Sequence, residues 1–197
     1  MQDCRLFWCI IFISSLCIPS IAQDSTTIAV FYYSRSGHTK AMAEAVQNGA
    51  RQVNSVKVRL IDITQADRED ILAADAIILG SPVYNGNVAP PVLQFINSWP
   101  FEGAPLKDKI GAVFVSAGGI SAGEELVQMS LISAMLVNRM IIVGGPEWQG
   151  AFGASAVTGE TPFNDSENSL NINPAFLKKA TALGERVAEI TKKFKEQ

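Results

Sequence analysis

Three short stretches of this 197-residue chain combine small polar side chains with glycine, and each follows a run of apolar residues. The first is SRSGHT (residues 34–39), the second is SPVYNGN (81–87) and the third is SAGGISAG (116–123). Hydroxyl groups, exposed backbone N–H groups and glycines are the groups with which proteins bind phosphate and flat heterocyclic rings. We therefore consider these stretches first as parts of a ligand site.

The first stretch stands between an apolar segment and a helical pattern, a position that suits phosphate binding. A helix N-terminus leaves backbone N–H groups unpaired and carries partial positive charge. Ser34, Ser36 and Thr39 can donate hydroxyl hydrogen bonds to phosphate oxygens, while Gly37 lets the backbone approach closely. The alternative is an ordinary strand-to-helix turn in which one Ser or Thr caps the helix. The nucleotide patterns G-x-G-x-x-G and G-x-x-x-x-G-K-[ST] are absent here.

Two further residues of the first stretch carry possible charge. His38, the one histidine of the chain, either helps to neutralise a phosphate or caps the helix through its backbone. Arg35 is expected to be exposed in both cases and to attract a phosphate or a nicotinamide cofactor. We assign neither residue a catalytic role.

The second and third stretches suit a flat ring. Pro82 stiffens the exit from a strand, Gly86 permits a tight turn, and Tyr84 offers an aromatic face beside backbone amides. The third stretch has almost no side chains, so its backbone is open to an approaching ligand. The alternatives are a solvent-exposed turn for the second stretch and a flexible connection for the third.

These stretches are separated by alternating predicted strands and helices. The predicted strands cover residues 26–33, 56–63, 76–80, 110–116 and 140–145, and the predicted helices cover about 39–53, 66–75, 91–99, 124–137 and 174–194. Residues 146–173 are predicted to be irregular. Strict alternation with apolar strands is typical of an α/β parallel sheet covered on both faces. Right-handed crossovers then place all three stretches on one carboxyl edge of the sheet, where such folds bind ligands.

The composition limits the classes of function and location. The formal net charge is −3 and no basic stripe is present, so we expect no nucleic-acid binding. All three cysteines, Cys4, Cys9 and Cys17, lie in a segment with a lone Arg5, an apolar run and small residues before position 23. This layout predicts a signal peptide over residues 1–22, cleaved after Ala22, and one exported domain over 23–197, either periplasmic or secreted. The alternatives are a retained N-terminal membrane anchor and a lipid-modified Cys17.

Cleavage at this point has a chemical consequence. The mature chain would contain no cysteine. Disulfides, thiolate catalysis and cysteine metal sites would then be excluded together.

Several of these stretches resemble one protein family. YYSRSGHT resembles the phosphate loop of flavodoxin-like proteins, whose pattern is roughly [ST]-x-[ST]-G-x-T. Together with GSPVYNGNVAPPVLQFI, GAVFVSAGG and GAFGASAVTGE it resembles the NAD(P)H:quinone oxidoreductases historically called Trp-repressor-binding proteins. The resemblance implies a flavodoxin-like three-layer sandwich with a five-stranded parallel sheet of order 2-1-3-4-5, and FMN as the cofactor.

The resemblance also implies which positions contact FMN. The phosphate contacts fall on Ser34, Arg35, Ser36, Gly37, His38 and Thr39. The loop facing the isoalloxazine ring falls on Pro82, Val83, Tyr84, Asn85 and Gly86. The third FMN loop falls on Ser116, Ala117, Gly118, Gly119, Ile120 and Ser121.

The activity implied by the resemblance is electron transfer from NADH or NADPH through FMN to a small quinone-like acceptor. Because FMN supplies the chemistry, we expect no catalytic side chain and no metal site. A homodimer or homotetramer is implied as well, with residues 146–173 helping to shape the neighbour's site. The alternatives are a flavodoxin-type one-electron shuttle and an exported flavodoxin-like binding module without catalysis.

Overall fold

The computed structural model describes residues 25–164, 170 and 172–197. The predicted signal peptide lies outside the described residues, so its cleavage after Ala22 stays a prediction. Among the helices that are described, none combines the length and the apolar character needed to cross a membrane.

Strands and helices alternate along most of the described chain, as predicted, except at two points where one strand follows another without an α-helix between them. In chain order they are β1 Thr26–Tyr32, α1 His38–Ala50, β2 Val56–Asp62, α2 Arg68–Leu72, β3 Ala76–Tyr84, β4 Asn87–Val88, α3 Pro90–Asn97, β5 Ile110–Ala117, α4 Glu124–Val137, β6 Ile141–Ile142, a 3-10 turn Trp148–Gly150, β7 Ala154–Val157 and α5 Pro174–Lys195.

The strands form one sheet whose main path is β2-β1-β3-β5-β6, with parallel pairing throughout that path. β7 also runs parallel to β5, beyond β6: Ile110 pairs with Ile141, and Phe114 pairs with Ala154. β6 and β7 therefore share the fifth position of the sheet. This arrangement confirms the flavodoxin-like α/β fold and the order 2-1-3-4-5, with the predicted fourth strand observed as β5.

The described residues contribute seven strands to the sheet rather than the predicted five, for two local reasons. First, β3 continues past Gly80 to Tyr84 and forms an antiparallel hairpin with β4. Its turn consists of Asn85 and Gly86, both with positive φ (51° and 72°), which is the preferred Asn-Gly geometry of a two-residue hairpin. Second, part of the segment predicted to be irregular forms β7, which pairs with the C-terminal half of β5, from Phe114 to Ala117.

The core consists of two layers, one on each face of the sheet. Ile28 and Val30 of β1 face a cluster formed with α1 and α5, whereas Ala29 and Phe31 face the cluster of α2, α3 and α4. Successive side chains of a strand point to opposite faces, so a central strand must be apolar at every position to be buried on both. The parallel pairing of β3 with both β1 and β5 places the carboxyl ends of these three strands side by side.

Candidate functional site

The loop between β1 and α1 leaves the start of the helix without a side-chain cap. The N-cap residue is Gly37, with φ of 93°, and no side chain accepts a hydrogen bond from the first turn of α1. The Ser34 hydroxyl instead accepts a hydrogen bond from the Gly37 N–H (3.1 Å), inside the loop. The structure therefore does not contain the Ser or Thr cap that was the alternative to a binding loop.

The other two hydroxyls of this loop have different partners. Ser36 Oγ lies 2.8 Å from His38 Nδ1 near the surface. Thr39 is only 1% exposed, and its hydroxyl lies 2.8 Å from that of Ser116, which is 5% exposed. Ser34 and Ser36 thus remain near the loop surface, whereas Thr39 joins the first loop to the third.

The second loop approaches the first through Tyr84. Burial raises the pKa of the Tyr84 phenol above its usual value, the nearby Tyr33 raises it further, and the positive charge of Arg35 lowers it. The phenol of Tyr84, at the end of β3, therefore lies in the field of the positive charge that Arg35 carries in the exposed part of the first loop.

The second and third loops approach each other at two glycines. Gly123, with φ of 105°, precedes α4, and a Cβ built on it would lie 2.7 Å from Gly86 Cα. No side chain fits between the two backbones at this distance. Pro82 of β3 also lies opposite Ser116 in the register of the sheet. All three predicted loops are therefore brought together on one edge, as the topology predicts.

The third loop combines open space with a carboxylate contact. Apart from its neighbours in the chain, no atom of the described residues lies within 4 Å of the position that a Cβ on Gly118 would occupy. Two residues later, the Ile120 N–H donates a 2.7 Å hydrogen bond to Glu160 Oε2. Gly118 is exposed, and it therefore leaves backbone open to a ligand while Glu160 holds the next part of the loop.

Residues after β7 brace the third loop, and the sequence analysis did not assign them to the site. Thr158 N–H donates to the Ala117 carbonyl (2.9 Å), Gly159 N–H donates to the Gly118 carbonyl (3.0 Å), and Glu160 contacts Ile120 as described. They belong to GASAVTGE, which contributes to the family resemblance. No local pattern in that stretch shows that it pairs with β5.

Of the predicted site residues, some are exposed and others are enclosed by the fold. Exposed positions are Arg35, Ser36, Asn85, Gly118, Ile120 and Ser121. Partly exposed positions are Ser34, Gly37, His38, Val83, Tyr84, Gly86 and Gly119. Buried positions are Thr39, Pro82, Ser116 and Ala117. The buried residues support the loops from the protein interior, and the exposed and partly exposed residues line the edge of the sheet.

Comparison with known proteins identifies the family. A flavodoxin of Aquifex aeolicus is 32% identical over 128 residues, which cover 62% of this chain and 67% of that protein. The chain belongs to the flavodoxin-like family. The family model for NADPH-dependent FMN reductase also matches this flavodoxin-like chain, over residues 62–154, a range that contains the second and third loops.

Two further relatives extend the match over most of this flavodoxin-like chain. A flavodoxin of Clostridium saccharobutylicum is 24% identical over 169 residues, covering 85% of this chain and 98% of that protein. The crystal structure of a flavodoxin, WrbA-like protein from Agrobacterium tumefaciens superimposes with a TM-score of 0.70 at 24% identity, covering 86% of this chain and 99% of that one. The similarity to that structure shows the shared fold.

Proposed function

We propose that this flavodoxin-like protein binds FMN at the carboxyl edge of its sheet and transfers electrons from NADH or NADPH through FMN to a quinone-like acceptor. The main support is the convergence of the three loops. The first and third are joined by the Thr39–Ser116 hydrogen bond (2.8 Å), and the second and third meet at Gly86 and Gly123. The FMN reductase family match and the flavodoxin relatives support the same cofactor.

The residues of the first loop fit a phosphate group. The first turn of α1 has no side-chain cap, so its N–H groups are available to an anion at a helix N-terminus. The left-handed conformation of Gly37 turns the backbone into this helix, and the hydroxyls of Ser34 and Ser36 stand beside it. In this proposal Thr39 holds the phosphate loop against β5 through Ser116.

The second and third loops fit a flat ring. The Asn85–Gly86 turn presents backbone groups beside Tyr84, and the open backbone at Gly118 faces the same edge. When bound, FMN supplies the hydride and electron transfer chemistry. The protein's own residues orient the ring, and the exposed Arg35 attracts the phosphates of a nicotinamide cofactor.

A second candidate function is a flavodoxin-type shuttle that holds FMN and passes single electrons between proteins. It is favoured by the flavodoxin relatives, which cover as much as 85% of this chain. The shuttle and the reductase would share the FMN site, but only the reductase would be reduced by NADH or NADPH. The rate of flavin reduction by these nucleotides therefore distinguishes the two functions.

The experiment is anaerobic reduction of the purified protein with FMN, with free FMN as the control. Bleaching of the flavin spectrum by NADH or NADPH, faster than for free FMN and reversed by a quinone, would support the reductase. A bound flavin that neither nucleotide reduces would favour the shuttle. Absence of FMN binding at micromolar concentration would overturn both and leave the non-catalytic binding module.

We also propose that the protein is exported through the predicted signal peptide, which is supported by the sequence pattern of residues 1–22. N-terminal sequencing of the protein from the extracytoplasmic fraction should begin at Gln23. A mature chain that still begins at Met1 would instead indicate the retained anchor.

A further inference from the structure

A cavity lies between the first half of α5 and residues 143–153, the segment that joins β6 to β7. We call them the α5 cavity and the β6–β7 segment. The cavity has a volume of about 320 Å³, at the lower end of the range of about 300–1,000 Å³ that is usual for small-molecule sites. None of the residues that line it belongs to the three loops of the candidate FMN site. The proposed function therefore leaves this cavity unassigned.

One wall of the α5 cavity is a single face of α5. It is lined by Ala175, Lys178, Lys179 and Ala182. These residues occupy positions i, i+3, i+4 and i+7, which lie on one side of an α-helix. The two alanines leave room for a ligand, whereas the two lysines bring long apolar stems that end in a positive charge. This wall therefore combines apolar surface with two cations.

The opposite wall consists mainly of backbone. It is lined by Gly145, Pro146, Gly150 and Gly153. The N–H groups of Gly145 and Gly153 both donate to the Gly150 carbonyl, at 2.8 Å and 2.9 Å. A Cβ built on Gly153 would lie 2.1 Å from the Val113 carbonyl oxygen, so this end of the segment packs directly against β5. The wall is therefore held in place by the fold, and its glycines let a flat ring approach the peptide groups closely.

The charged groups at the cavity favour an anion. Lys178 is exposed and Lys179 is partly exposed, and neither forms an ion pair with any of the described residues. The Lys179 ammonium lies 5.8 Å from the centroid of the Phe176 ring. Glu147 is the one carboxylate among the described residues that line the cavity. Two cations therefore stand against one carboxylate here, in a chain whose formal net charge is −3.

We propose that the α5 cavity binds a small aromatic anion, a molecule of one or two rings that carries a carboxylate or a sulfonate. The rings lie against the glycine backbone of the β6–β7 segment, and the anionic group lies beside Lys178 and Lys179. Exposed lysines alone hold an anion weakly in water. The apolar walls supply the rest of the affinity, because they remove the rings from water. Binding at this site does not depend on FMN.

The test compares naphthalene-1-sulfonate with 1-naphthol, which has the same two rings and a hydroxyl in place of the sulfonate. Isothermal titration calorimetry of the purified protein measures both probes, with and without added FMN. We expect naphthalene-1-sulfonate to bind at one molecule per chain and at least about tenfold more tightly than 1-naphthol. Added FMN should leave this affinity unchanged.

Charge variants test the role of the lysines. Lys178→Glu should weaken the binding of naphthalene-1-sulfonate about tenfold and change that of 1-naphthol less than about twofold. Lys193→Glu is the matched control, because Lys193 is an exposed lysine of the same helix about 22 Å further along, and it should leave both affinities unchanged. Glu147→Gln removes the carboxylate and should strengthen the binding of the sulfonate.

A second pair of variants tests the location. Ala182→Leu fills the cavity from the side of α5 and should weaken the binding of both probes, whereas Ala182→Ser leaves the cavity open and should not. Ala182 is only partly buried, and circular dichroism must show that both variants are folded.

Three results would overturn the proposal. They are the absence of saturable binding of naphthalene-1-sulfonate, equal affinities in Lys178→Glu and Lys193→Glu, and displacement of the sulfonate by FMN, which would place it in the candidate FMN site. A protein that binds the sulfonate with the expected variant effects but does not bind FMN would support this site and overturn the proposed function.

Discussion

The Thr39 hydroxyl connects two loops whose residues are 77 positions apart in the chain. Both it and its partner Ser116 are buried, so neither hydroxyl can exchange this contact for water. A buried polar group that loses its partner retains its desolvation cost. The Thr39–Ser116 hydrogen bond therefore contributes both to the stability of the folded protein and to the position of the first loop.

We expect Thr39→Val to lower the free energy of unfolding by about 1–3 kcal/mol, since the Ser116 hydroxyl would be left buried and unpaired. Thr39→Ser keeps the hydroxyl and serves as the control, with a smaller loss. Urea unfolding measures both. In the double variant Thr39→Val/Ser116→Ala no unpaired hydroxyl remains, and the loss should be smaller than the sum of the single losses. A fully additive double variant would show that the pair contributes no coupling.

A second test at the residue scale concerns the ionisation of Tyr84. Burial raises its phenol pKa above 10.0, and Arg35 opposes this rise. We expect Arg35→Gln to raise the pKa of Tyr84 further, whereas Arg35→Lys keeps the positive charge and should change it less. The chain has only three tyrosines, so the phenolate absorbance of each variant with and without Tyr84→Phe isolates this group. An unchanged titration in Arg35→Gln would show that the charge of Arg35 does not act on the Tyr84 phenol.

The same shift gives a direction for stability against pH. Because the folded-state pKa is raised, the neutral phenol contributes stability that is fully present below the unfolded value near 10.0 and is lost as the pH rises through the folded value. As the pH rises above 10.0, the fall in the free energy of unfolding should be smaller in Tyr84→Phe than in the wild type.

At the scale of elements, the backbones of the β3–β4 hairpin and of the start of α4 pack closely against each other. Gly123→Ala combines a left-handed φ with a backbone clash, because its Cβ would lie 2.7 Å from Gly86 Cα. Gly103 is a matched control, since it also has positive φ (76°) but, among the described residues other than its chain neighbours, no atom lies within 4 Å of the position that an alanine Cβ would occupy.

We expect Gly103→Ala to cost about 1 kcal/mol from backbone strain alone. Gly123→Ala should cost about 2 kcal/mol more, because the hairpin must move away. Thermal and urea unfolding give both values, and FMN affinity should fall only in Gly123→Ala. Equal losses in the two variants would contradict the close approach of the two loops.

The elements differ in how far they could be predicted. β1 and β5 are apolar at successive positions because both faces are covered, and this makes them visible in the sequence. The sequence pattern predicts that this strand ends at Gly80, with Pro82 in the loop after it, and so does not predict the β3–β4 hairpin, although the Asn85–Gly86 pair is a hairpin signal. β7 consists of only four residues, and it is a strand because it pairs with the C-terminal half of β5. The local sequence therefore does not predict it.

At the scale of the whole molecule, the location of the candidate site can be predicted from the sequence. The contacts of residues 158–160 that hold its third loop in place cannot. Parallel strands with right-handed crossovers must bring the ends of β1, β3 and β5 together, whatever the loops contain. The contact of Glu160 with Ile120 spans 40 residues and depends on where β7 pairs. The α5 cavity cannot be predicted either, because it depends on how the β6–β7 segment packs beside α5.

If the three loops form one FMN site, a fluorescence titration of the purified protein with FMN will show it. We expect saturable quenching at one FMN per chain. Ser36→Asp, which places a negative charge at the predicted phosphate position, should weaken binding at least about tenfold. Ser55→Asp, an exposed serine just before β2 at the opposite edge of the sheet, should leave it unchanged. Absence of saturable binding, or equal affinity in the two variants, would show that the three loops do not form one FMN site.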